Sequence, residues 1–135
     1  MEDFIFSSST NLRVRYGETD QMGYCYYGNY AEFLEVGRVE ALRDLGLSYK
    51  ALEEKGIMLP VKKFSIDYKY PAKYDDLLTV ITKISKLNGS RIDFYYEILN
   101  DENRIVCSAF TTLVFVSKSN MKPIKVPDFF MNLFN

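Results

Sequence analysis

The sequence predicts an α+β fold in which one long helix covers a face of a five-stranded antiparallel sheet. Three observations carry this. Tyr30, Phe33, Leu34, Gly37, Ala41 and Leu45 recur at the spacing of a single helix face. From residue 61 onward the pattern changes to period two, the mark of strands with two different faces. Turn signals then divide that stretch into a meander, with Pro71, Asn88-Gly89 and the run from 100 to 103 as its punctuation. A helix lying on one face of such a sheet leaves the other face to solvent or to another subunit.

In chain order, residues 11–16 alternate, with Leu12, Val14 and Tyr16 opposed to Arg13 and Arg15, and form the first strand. The long helix starts at Asn29, a favoured N-cap residue, and Glu32 three positions later completes a capping box. Gly37 lowers helix propensity in mid-stripe, so its place there implies close backbone approach to the sheet. Gly46 ends this helix, and Gly56 closes a shorter one over 48–55. Strands follow at 61–70, 77–87, 91–99 and 105–117. The last is apolar on both faces and belongs near the sheet centre. Pro127 starts a short terminal helix whose Phe129, Phe130, Leu133 and Phe134 pack on the body.

With 135 residues and no linker, repeat or low-complexity stretch, the chain reads as a single domain over 1–135, long enough for a sizeable core. Eleven Tyr and ten Phe with no Trp favour strands and a buried pocket or subunit interface. A net charge of −1 and a pI near 5.5 give no attraction to nucleic acid or anionic lipid. No apolar run is long enough to span a bilayer, and Met1 to Thr10 lacks the basic region of a signal peptide. Two cysteines, Cys25 and Cys107, are too few for a disulfide framework or a structural zinc site, which places them as thiols in a reducing, cytoplasmic setting.

The chemistry concentrates in Tyr16-Gly-Glu-Thr-Asp-Gln-Met-Gly-Tyr-Cys-Tyr-Tyr-Gly-Asn-Tyr30. It sets an acidic pair, Glu18 and Asp20, in a loop that leads into a helix N-terminus. A carboxylate there joins a nucleophile or base to a group of oriented N–H donors. The chain has no histidine, so a carboxylate is the strongest candidate for chemistry. The plainer role for Asp20 is an Asx turn ahead of Gly23. Cys25 as a nucleophile needs a lowered pKa, and no histidine is present to lower it.

Tyr16-Gly-Glu-Thr-Asp20 followed by Tyr27-Gly-Asn-Tyr30 and a long helix resembles the hotdog-fold thioesterases, more narrowly the 4-hydroxybenzoyl-CoA thioesterase family and its acyl-CoA relatives. The segment Tyr68-Lys-Tyr-Pro-Ala-Lys-Tyr-Asp-Asp-Leu-Leu78 is similar to a second motif of that family, and the likeness runs from about residue 11 to 116. The resemblance implies a hotdog fold, a five-stranded antiparallel sheet wrapped around the long helix. It also implies hydrolysis of an acyl-CoA to free acid and coenzyme A, with Asp20 as the reacting carboxylate and Glu18 in support. The backbone of Tyr27, Gly28 and Asn29 would polarise the thioester carbonyl, and Glu35, Val61 and Lys62 are further candidates for substrate contact. Some members carry His where this chain has Tyr27, so a mechanism that needs that imidazole is excluded. No metal or redox cofactor is implied; coenzyme A is part of the substrate.

Within this resemblance several roles stay open. Asp20 either attacks the thioester carbon or activates a water. Glu35 and Arg38, three apart on the helix, either form a surface ion pair or bring Glu35 to the acyl pocket. Tyr24, Cys25, Tyr26, Phe64, Ile66 and Phe110 line an acyl channel or are plain core, and Lys62, Lys63, Arg91 and Lys118 meet coenzyme A phosphates or are merely solvated. The family's assembly implies a homodimer or homotetramer joined at sheet edges. An acyl carrier protein is the alternative thioester donor, and a non-catalytic acyl-thioester binder is a rival of another class. Hotdog hydratases depend on a catalytic histidine that this chain lacks.

Overall fold

A computed structural model describes residues 4–85 and 87–134. The main sheet is antiparallel and built from β1 (Phe4–Arg13), β3 (Val61–Tyr68), β4 (Leu77–Ser85), β5 (Arg91–Leu99) and β6 (Ile105–Val114). Its spatial order is β1-β4-β5-β6-β3, with β5 central, β6 beside it, and β1 and β3 as the edges. Helix α1 (Tyr30–Asp44) packs on β1 and β4, giving the hotdog arrangement. Helix α2 (Tyr49–Glu54) leads into β2 (Ile57–Met58), which pairs with β7 (Val116–Ser117) in a small second sheet.

Side-chain chemistry explains the main features. On β5 the alternating Ile92, Phe94, Tyr96 and Ile98 are buried, and on β4 Leu78, Val80, Thr82 and Ile84 join them. Tyr30, Phe33, Leu34, Gly37 and Ala41 of α1 are buried as the helical stripe requires, and Arg38 and Leu42 extend it. A Cβ on Gly37 would lie 2.6 Å from Val80 Cγ1 and 2.7 Å from Thr82 Oγ1, so the helix backbone rests directly on β4. Gly46 ends α1 with φ at +89°, a conformation that favours glycine. Ser48 caps α2 by accepting from the Ala51 N–H at 3.1 Å.

Several boundaries differ from the sequence reading. The first strand runs from Phe4 to Arg13, not over 11–16. Its Ser-rich run has weak strand propensity, but it pairs with β4 from Phe4↔Ser85 to Arg13↔Leu77. β3 stops at Tyr68 because the amides of Lys69 and Tyr70 converge on the Val106 carbonyl, at 2.8 and 3.1 Å. β4 is described to Ser85, and Lys86 lies outside the described residues. The predicted strand over 105–117 divides at Phe115, whose N–H turns away to the Ser90 carbonyl at 2.8 Å. The hairpin pairs Asn88 with Arg91 across Gly89-Ser90. Gly89 has φ at +61° and Ser90 does not share it, the pattern of a type II′ turn one residue beyond the Asn-Gly signal. The terminal helix α3 (Asp128–Met131) buries Phe130 against Phe115, ring centroids 5.0 Å apart. Among the described residues no helix is long and apolar enough to cross a membrane.

Candidate active site

The loop between β1 and α1 is held by its own polar groups. Residues Tyr16–Glu18 form one 3-10 turn. Glu18 is buried and its carboxylate accepts from the Arg15 N–H at 2.7 Å and from Arg15 Nη2 at 3.1 Å. That hydrogen bond, and then the charge of Glu18, raises the Arg15 pKa. The Glu18 carbonyl in turn accepts from the Tyr26 N–H and from Asn29 Nδ2, both at 2.8 Å. Glu18 therefore ties the loop to the start of the helix.

Asp20 sits exposed at the tip of this loop, where Thr19 pairs with Cys25. Its Oδ1 accepts from the Met22 N–H at 2.9 Å and the Tyr24 N–H at 3.2 Å, while its backbone N–H donates to the Tyr24 carbonyl at 2.8 Å. Gly23 adopts φ at +81° to close the turn. The Asx turn is thus real and engages one carboxylate oxygen; Oδ2 lies outside these bonds. Next to it, the Cys25 N–H donates to the Ala72 carbonyl at 2.7 Å, anchoring the loop to the segment before β4. Burial, followed by the charge of Glu18, pushes the Cys25 thiol up to about 11, so it stays protonated near neutral pH.

The start of the helix differs from the capping box. Tyr27–Asn29 form a 3-10 turn that runs directly into α1. Asn29 is helical, at φ −77° and ψ −17°, its side chain makes no cap hydrogen bond, and its Nδ2 donates to the Glu18 carbonyl instead. The N–H groups of Tyr27 and Gly28 open the helix and so precede any acceptor within it. Tyr26, Tyr27 and Tyr68 are exposed around this point. The Tyr26 and Tyr27 rings lie 4.7 Å apart, and the Tyr68 hydroxyl donates to the Tyr27 carbonyl at 3.4 Å.

Glu35 and Val61 come together further along α1. Both line a cavity of about 340 Å³ between α1, α2 and the connection into β3, and a smaller one of about 150 Å³ that reaches Phe64 and Thr111. Lys62 is elsewhere. A β-bulge between Val61 and Lys63 turns Lys62 and Lys63 together toward a third cavity with Arg91, Asp93, Phe110 and Thr112. Phe64 and Phe110 of the proposed channel therefore fall on different cavities.

The surface ion pair between Glu35 and Arg38 does not form. Among the described residues the ion pairs are Arg13–Asp75, Arg15–Glu18 and Arg43–Glu40. Arg38 is buried instead, with Nε donating to the Tyr49 hydroxyl at 3.0 Å and Nη1 to the Tyr96 hydroxyl at 3.2 Å. The sequence reading missed this position. Its signal was present: Arg38 follows Leu34 by four and precedes Leu42 by four, on the buried stripe. Among the described residues no group of three or more His, Cys, Asp or Glu side chains is placed to hold a metal ion.

Known proteins are similar to this chain in sequence and fold. A family model of the thioesterase-like superfamily matches residues 14–134. YneP of Bacillus subtilis (strain 168) is 38% identical over 118 residues, covering 87% of this chain and 86% of that protein. The acyl-CoA thioester hydrolase YbgC of Escherichia coli O6:H1 is 34% identical over 116 residues, covering 86% of this chain and 87% of its own. Among solved structures, a DHNA-CoA thioesterase from Staphylococcus aureus superposes with a TM-score of 0.88 at 34% identity, over 93% of this chain and 85% of that one.

Proposed function

The chain belongs to the thioesterase-like superfamily and is a thioester hydrolase, and on that premise we propose that it cleaves an acyl-CoA to free acid and coenzyme A, with Asp20 as the reacting carboxylate. The observation that carries this reading is the tie between loop and helix: Glu18 accepts from both Tyr26 and Asn29, which fixes the Asp20 loop against the first turn of α1. A helix N-terminus carries roughly half a positive charge. The N–H groups of Tyr27 and Gly28 thereby stabilise the oxyanion that forms at the thioester carbonyl.

Asp20 acts through Oδ2, since Oδ1 holds the turn. In one route Oδ2 attacks the carbonyl carbon, the carbon–sulfur bond breaks to release the coenzyme A thiolate, and water hydrolyses the mixed anhydride. In the other, Oδ2 takes a proton from water as that water attacks the carbonyl carbon, the carbon–sulfur bond then breaks, and the departing coenzyme A thiolate takes up the proton. Glu35 and Val61 contact the acyl group in the cavities beside α1, and Lys62, with Lys63 and Arg91, meets phosphate groups at the third cavity.

The same basic group suits an acidic carrier protein, so a carrier-bound acyl thioester is the second reading. The exposed edge strand β3, with Val61, Phe64 and Tyr68 open to solvent, supports a homodimer formed along that edge, alone or within a homotetramer. The test is free-thiol release from short, long and aromatic acyl-CoAs and from matched carrier-protein thioesters, using pure protein. Turnover of at least one acyl-CoA is expected. Turnover of carrier thioesters alone would favour the second reading, and no turnover at all would contradict both.

A further inference from the structure

Arg38 is 7% exposed and among the described residues belongs to no ion pair, which is an unusual state for a guanidinium. A buried cation is costly unless its donors are met. Tyr49 and Tyr96 take two of its five N–H groups, and the Tyr96 hydroxyl is itself 2.6 Å from Thr111 Oγ1. Arg38 also lines both cavities beside α1. Most of the wall around it is apolar, formed by Leu52, Ile57 and Val61 in the larger cavity and by Leu34 and Phe64 in the smaller, with Glu35 in both and Glu53 in the larger as the acidic members. A guanidinium with donors to spare, set in a largely apolar cavity, is a recognition group for an oxygen acceptor.

Resting on the thioesterase reading, we propose that Arg38 is the specificity-determining residue of the acyl cavity and selects acyl groups that carry a neutral oxygen, hydroxyl or keto, over plain hydrocarbon tails. Neutrality follows from the neighbours. Glu35 shares both cavities with Arg38, and Glu53 lines the larger one, so an anionic tail meets two carboxylates on its way to a single cation. A hydroxyl tail gains further, because it accepts from Arg38 and donates to Glu35.

The test compares kcat/KM for straight-chain acyl-CoAs with their terminal hydroxyl and terminal carboxylate analogues, in wild type, Arg38→Met and Arg38→Lys. A hydrogen bond to a charged group corresponds to a preference of about 10- to 100-fold, expected for the hydroxyl over the hydrocarbon in wild type. The carboxylate is expected to be the poorer of the two polar tails. Arg38→Met should bring the hydroxyl-to-hydrocarbon ratio close to unity, and Arg38→Lys should restore part of it. The ratio is taken within each preparation, so partial unfolding of a variant leaves it unchanged, and the wild-type preference stands as a test even if a variant does not fold. Cleavage of all members without preference, a best rate on the carboxylate, or a preference that survives in Arg38→Met overturns the role of Arg38 alone. Absence of cleavage by wild type on every member overturns the thioesterase reading and this inference with it.

Discussion

Asp20 and Asn29 each hold the loop between β1 and α1 with one side-chain atom. For Asp20, the bonds from Met22 and Tyr24 to Oδ1 fix the carboxylate plane and orient Oδ2 without using it. On the proposed reading, a structural turn and a reacting group coexist in one side chain. Asn29 is a donor, not a cap, since its amide reaches the Glu18 carbonyl at 2.8 Å. The distinction can be measured. Asp serves about as well as Asn at a true N-cap. Here Asn29→Asp replaces a donor with a carboxylate facing a carbonyl oxygen, so it should destabilise the protein by about 1–3 kcal/mol in chemical denaturation. An unchanged midpoint would mean that the tie to Glu18 contributes nothing.

At the scale of elements, the α1 backbone at Gly37 rests directly on the Val80 and Thr82 side chains of β4. Gly37→Ala would raise helix propensity by about 1 kcal/mol in isolation. Its methyl, however, would overlap Val80 and Thr82, and overpacking of this kind costs about 1–3 kcal/mol. Net destabilisation is expected in urea unfolding; a more stable variant would show that the helix moves off the sheet freely. That close approach was legible in the sequence because a glycine inside an apolar stripe has few other reasons to be there. The capping box was misread because the carbonyl that takes the Asn29 amide belongs to Glu18, eleven residues away, and no local pattern marks such a partner. Arg38 was misplaced for a related reason: its acceptors, Tyr49 and Tyr96, lie 11 and 58 residues off. Strand boundaries shifted where the chain left a ladder for a single long-range bond, as at Phe115 with Ser90.

Over the whole molecule, the Asp20 loop and the cavities beside α1 lie on the side of the sheet that carries the helix. Lys62, Lys63 and Arg91 meet on the Asp93 face, away from the buried Ile92 and Phe94, and both groups reach the β3 edge. The loop of Asp20, the first turn of α1 and the exposed Tyr26, Tyr27 and Tyr68 stand at one end of this edge. The cavities shared by Glu35, Arg38 and Val61 lie at the other end of the strand. The fold class was readable from periodicity alone, because alternation and the helical stripe are local. The grouping of cavities was not, since the bulge between Val61 and Lys63 separates neighbours that the sequence sets side by side. The most direct test of the account is the kcat of Asp20→Asn on an acyl-CoA that wild type cleaves, with fold and oligomeric state checked in the same preparation. Removal of a reacting carboxylate is expected to lower kcat by about 100-fold or more while the KM changes little. A folded Asp20→Asn protein that turns over at the wild-type rate would contradict the account.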